Sequence, residues 1–144
     1  MTVTFFGHRD APRTIQPLLH ETLTNLIENS FADNFYVGSN GSFDSMVKSE
    51  LKNIAAQYEH IKYTVVLAKH PIKNDFVNCE HDTLYPEGIE RVHPRFAILF
   101  CNEWMVNRSD VVITYVNRNF GGAYKFKEIA KKKGKKVINL AEIK

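Results

Sequence analysis

The stretch Asp110 to Val116 (DVVITYV) constrains the fold more than any other part of the chain. Its apolar residues are consecutive rather than alternate, so a strand formed there has to be covered on both faces. Strands covered on both faces belong to parallel sheets with helices packed above and below. The remaining segments supply such a sheet. Thr2 to Phe6 (TVTFF) is a short β-branched and aromatic run closed by Gly7, and Asn34 to Val37 (NFYV) is closed by Gly38. Ile61 to Ala68 and Lys136 to Leu140 have the same character, which favours strands.

Helical periods separate these runs. Ile15, Leu18, Leu19, Leu23, Leu26 and Ile27 recur at steps that share one helix face, with Thr14 as the expected cap and Pro17 in the first turn. Phe43, Met46, Val47, Leu51, Ile54, Ala55 and Tyr58 repeat the pattern behind Ser42, the expected second cap. Pro94 suits the start of a helix running to about Arg108, and a last helix runs from Gly121 and Gly122 to Lys133, where Gly134 ends it. The alternation predicts an α/β fold over residues 1–144 as a single domain, with five parallel strands. Lys69 to His93 has no clean period and contains Pro71, Pro86 and Gly88. A connection of that length is expected to be a functional lid or a disordered loop.

Composition narrows the setting. Hydrophobic residues make up 44% of the chain, enough for a core, and charged residues 24%. No apolar run approaches the roughly 20 residues a membrane span needs. Met1 to Asp10 shows no basic segment followed by an apolar one, so no signal peptide is expected. Cys79 and Cys101 are too few for a disulfide framework, which points to a reducing, cytoplasmic setting. The net charge of +3, much of it from Lys131, Lys132, Lys133, Lys135 and Lys136, permits an anionic ligand. It is too mild to point to nucleic acid. His70, Cys79, His81 and His93 match no standard zinc spacing, so neither a metal nor a cofactor is expected.

Ligands of open parallel sheets bind beyond the carboxyl ends of the strands. Three turns at those ends have unusual composition. Gly7, His8, Arg9 and Asp10 follow the first strand, and Arg9 offers a planar fork for phosphate or carboxylate. Gly38, Ser39, Asn40, Gly41, Ser42, Phe43 and Asp44 follow the second, with Asp44 in the first helical turn, where its bland role is capping. Asn117 to Gly122 follow the DVVITYV strand. The adjacent glycines Gly121 and Gly122 at a helix start leave main-chain amides uncovered, which makes an anion site without any basic side chain. The candidate ligand contacts are Gly7, His8, Arg9, Gly38, Ser39, Asn40, Asp44, Tyr85, Asn102, Trp104, Gly121 and Gly122. Tyr85 and Trp104 are included as surfaces for a base, although an aromatic or Met105 at such a place is as readily core.

These motifs together (FFGHRD, YVGSNGSFD, YPEGIE, NEWM and SDVVITYV followed by GGAYKFKEIAKKKGKKVINL) resemble the SLOG superfamily. That superfamily joins the DprA/Smf proteins to the LOG-type phosphoribohydrolases, and the resemblance is to its small stand-alone bacterial YpsA-like branch. It covers nearly the whole chain. It implies a Rossmann-like three-layer α/β/α fold, strand order 3-2-1-4-5, a pocket for nucleotides, and the homodimers common in that group. Gly121, Gly122 and Glu128 keep the Gly-Gly and Glu spacing of the LOG motif, with Glu128 at the ribose. Phe120, Tyr124 and Lys125 depart from it, and the place of the family's catalytic arginine, near Cys101 and Asn102, holds none. The leading expectation is therefore binding or sensing of a nucleotide or phosphosugar. The alternative is an N-glycosidic-bond enzyme, a phosphoribohydrolase with Glu128 as its carboxylate and help from His8 or Asp44. DprA-like binding of single-stranded nucleic acid through the lysines stands third.

Overall fold

The computed structural model describes residues 1–68 and 82–143. Its centre is a parallel sheet of six strands: β1 (Thr2–Gly7), β2 (Asn34–Val37), β3 (Lys62–Val66), β4 (Asp82–Leu84), β5 (Val111–Tyr115) and β6 (Lys136–Asn139). They lie in the order β4-β3-β2-β1-β5-β6. The expected count of five, in the order 3-2-1-4-5, is thus corrected to six. The added strand is β4, which pairs parallel to β3 at the sheet edge through Thr64↔Asp82, Val65↔Thr83 and Val66↔Leu84. It falls within the segment that the sequence offered as one long loop. An edge strand of three residues joins by main-chain hydrogen bonds on one side alone, so it needs no hydrophobic alternation to announce it. Residues 69–81, which include His70, Cys79 and His81, lie outside the described residues.

Among the described residues four α-helices cover the sheet: α1 (Gln16–Ser30), α2 (Ser42–Gln57), α3 (Ala97–Arg108) and α4 (Gly122–Lys132). Side chains alternate across β1 and β5, and each face has its own core. Val3, Phe5, Val111 and Ile113 pack with Leu19, Leu23 and Leu26 of α1 and with Phe43, Val47 and Leu51 of α2. Phe6 and Val112 pack with Cys101, Met105 and Val106 of α3 and with Phe126 and Ala130 of α4. The DVVITYV run is double-sided as its composition requires, with Val111, Val112, Ile113 and Thr114 all 3% exposed or less. The result is three layers, α/β/α.

Local starts differ from expectation at two helices. Thr14 lies in a short 3-10 turn (Arg13–Ile15) ahead of α1, and no side chain caps that helix. Ser42 is the first residue of α2, and the cap position is Gly41 at φ 99°. The Ser42 hydroxyl instead donates to the Ala11 carbonyl, 2.8 Å away. Among the described residues no helix is long and apolar enough to cross a membrane.

Candidate functional site

Right-handed β-α-β crossovers put every helix N-terminus of such a sheet at the same edge, beyond the strand ends. Here the ends of β1, β2 and β5 and the starts of α2 and α4 surround a cleft of about 340 Å³. That volume lies at the lower end of small-molecule sites. Its walls include Gly7, His8 and Arg9 after β1, Gly38, Asn40 and Asp44 after β2, and Arg118, Gly121 and Gly122 after β5. From α3 come Ile98, Asn102 and Met105.

Most of the residues singled out from sequence therefore meet in one place. Four do not line it. Ser39 is exposed and accepts from Lys48 Nζ at 3.2 Å. Tyr85 is half-buried against the α3–α4 core. Trp104 packs edge-on to Tyr36, ring centres 5.1 Å apart, with the Arg108 guanidinium 4.0 Å from its ring centre. Glu128 lies seven residues beyond Gly121, about 10 Å further along the α4 axis, and sits 3.8 Å from Lys127 Nζ. Conversely, Ile98 and Ala123 line the cleft without having been named, as do Met105, which was read as core, and Arg118, which was named only as part of its turn. Arg118 was legible, because it stands in the turn that follows the most convincing strand.

The first turn of α4 is open. Gly121 has φ 96°, no side chain caps the helix, no acidic residue stands in its first turn, and a Cβ at Gly121 or Gly122 would meet nothing within 4 Å. The leading amides of this helix have no intrahelical acceptor, and they carry the positive end of its dipole. Beside them Arg118 forms a two-pronged bond with Asp10, 3.0 and 3.2 Å. That pairing holds the Asp10 carboxyl below the usual carboxylate range. Arg9 is exposed, and its guanidinium makes no hydrogen bond or ion pair within the described residues.

His8 is 5% exposed, and its Nε2 accepts from the Asn117 amide at 3.3 Å. Burial lowers its pKa, and the Arg118 charge lowers it further against an opposing pull from Asp10. A neutral ring whose Nε2 accepts must carry its proton on Nδ1. His8 is thus a fixed neutral donor rather than a charged phosphate ligand. Asp44 is 9% exposed and accepts from the Asn40 amide at 2.8 Å through Oδ2. Burial raises its pKa to about 6, against the Asn40 hydrogen bond and the charges of Lys48 and Arg9. Cys101 is no nucleophile: it lies in the core, and burial raises its thiol to about 11.

The lysine cluster lies elsewhere. Lys131 and Lys132 occupy the last turn of α4, at the opposite end of that helix from the cleft, where cations complement the dipole. Lys133 bonds Asn107 there. No group of three metal-ligating side chains occurs among the described residues.

Fold and cleft together define the class: a three-layer α/β protein with a parallel sheet whose carboxyl edge carries a cleft of mixed polar and apolar lining at two helix starts. No protein-family model matches the chain, and no curated protein matches its sequence.

Proposed function

We propose that the protein binds a nucleotide or a related phosphoribosyl ligand in this cleft, its phosphate on the first turn of α4. The observation that carries the reading is the uncapped start of α4, which opens into a cleft also lined by Arg9 and Arg118. Main-chain amides and helix dipole favour an oxyanion at that point, and Arg9 adds a guanidinium, unpaired among the described residues, to the same cleft. Ile98, Met105 and Ala123 give the same cleft an apolar wall for a base, and Asn102 adds a donor and an acceptor beside it. The fold and the Gly121–Gly122 turn agree with a place in the SLOG superfamily, which belongs to the same proposal.

The reading is binding without turnover. The carboxylate expected to cleave an N-glycosidic bond, Glu128, does not line the cleft. The lysines proposed for nucleic acid lie at the far end of α4 from the cleft, so they add nothing to a ligand bound there.

A thermal-shift panel tests the reading, because a ligand that binds only the folded state raises its melting point. AMP and ribose 5-phosphate should each raise it in a concentration-dependent way, and Arg9→Ala should weaken both effects. AMP left with the protein should yield no free adenine. A panel of nucleotides and phosphosugars with no shift at millimolar concentration would overturn the proposal.

A further inference from the structure

The two helix starts that face each other across the cleft are chemically unlike. At α4 no acidic residue stands in the first turn and the glycine backbone is bare. At α2 the position is already taken by negative charge, because Asp44 sits in the first turn. Two of the amides beside it are also committed. Asn40 donates to Asp44, and Ser42 donates to the Arg9 carbonyl at 3.0 Å. A phosphate placed at α2 would meet a buried carboxylate.

Asp44 itself accepts few bonds from the protein. A carboxylate can accept about four hydrogen bonds. This one receives the Asn40 bond within the described residues, although it lines the cleft and is nine-tenths buried. Arg9 and Lys48 favour its charge through space without forming an ion pair with it. Gly38 contributes by absence, since a Cβ there would lie 3.0 Å from Asp44 Oδ2. This end of the cleft therefore offers a charged acceptor, with the Arg9 guanidinium, unpaired among the described residues, near it.

The two ends are separated by β1, which lies between β2 and β5 in the sheet. The two helices also lie on opposite faces of the sheet, yet Asp44 and Gly122 line the same cleft, which the hydroxyls and phosphate of a ribose 5-phosphate would span through hydrogen bonds. Resting on the function proposed above, we propose that Asp44 recognises the sugar: its carboxylate accepts from the vicinal hydroxyls of a ribose whose phosphate lies at α4. The cleft then discriminates ribonucleotides from deoxyribonucleotides, and Asp44 is the residue that sets the preference.

Calorimetric titration of the whole protein with AMP, 2′-deoxy-AMP, 3′-deoxy-AMP and inorganic phosphate separates the possibilities. With the native chain, loss of a hydroxyl that bonds a charged acceptor should weaken binding by about tenfold or more. In Asp44→Asn the AMP to deoxy-AMP ratio should fall to within about threefold, while inorganic phosphate, held at the other end, should change little across a Debye length. Deoxy-AMP binding as tightly as AMP to the native chain overturns the assignment and leaves the phosphate reading intact. Tighter binding of every ligand by Asp44→Asn also overturns it, because Asp44 would then be acting only as a repelling charge. If no nucleotide or phosphate binds at all, the cleft reading fails and this one with it. The deoxy series on the native chain decides the matter even if the variant does not fold.

Discussion

The glycines of the turn between β2 and α2 are packed from several sides, whereas those of the turn between β5 and α4 stand clear, although Asn117 and Arg118 tie that turn to His8 and Asp10. A Cβ at Gly41 would lie 2.7 Å from Arg9 Cα, and a Cβ at Gly7, just beside this turn, 2.2 Å from Phe43 Cγ. At Gly121 and Gly122 the same test meets open space. Both helices start on a glycine with φ near 100°, 99° at Gly41 and 96° at Gly121. Similar backbones therefore serve different ends. The first set of glycines lets protein approach protein. The second leaves amides for something that is not part of the protein.

Substitutions should break this symmetry in a graded way. Gly7→Ala has the largest expected effect, because the Cβ meets the stem of Phe43, which is fully buried and cannot swing aside. Chemical denaturation should show a loss of about 3 kcal/mol or more. Gly41→Ala combines a main-chain clash with a left-handed φ and should lose roughly 2 to 3 kcal/mol in the same assay.

Asp44→Asn should do the opposite and stabilise the unliganded protein. A carboxyl whose pKa is about 6 in the fold, against 3.8 as its ordinary value, favours folding when protonated. That contribution is complete below pH 3.8 and is lost as pH rises through about 6. The variant should therefore gain about 2 kcal/mol at pH 8, and the gain should vanish near pH 4. A side chain that destabilises the empty protein where it also lines a cleft is the usual mark of a binding residue. Denaturation curves at both pH values check the sign.

Gly121→Ala should cost roughly 2 kcal/mol, because φ 96° with ψ 173° is backbone that glycine alone adopts readily, although the added Cβ meets no neighbour. Gly122→Ala, at the first helical position, should change stability by less than about 0.5 kcal/mol. Both should nonetheless weaken phosphate binding by reducing access to the amides, measurable by titration with inorganic phosphate. A stability loss at Gly122 as large as that at Gly7 would erase the contrast between the turns.

The parts of the fold legible in sequence were those governed by burial. DVVITYV had to be double-sided, and the edge of the sheet where ligands sit follows from topology, which is why Gly7, Gly38, Asp44 and Gly121 fall around one cleft. Features governed by main-chain pairing were not legible. β4 has no side-chain pattern, and the start of α2 is set by Gly41 rather than by the hydroxyl of Ser42. The aromatic residues Tyr85 and Trp104 attracted attention through their type, but Trp104 is occupied by Tyr36 and Arg108. Ile98 and Met105 carried no distinguishing sign, because an apolar residue facing a cleft and one facing a core look the same in a helix period.

The claim that α4 receives a phosphate is best tested at the amides themselves, by proton–nitrogen NMR of the labelled protein during titration with AMP. The amide signals of Gly122 and Ala123 should shift saturably, among the largest changes in the spectrum, and Gly122→Ala should reduce the affinity read from the remaining signals. Signals from Gly122 and Ala123 that stay fixed at saturating AMP would contradict it.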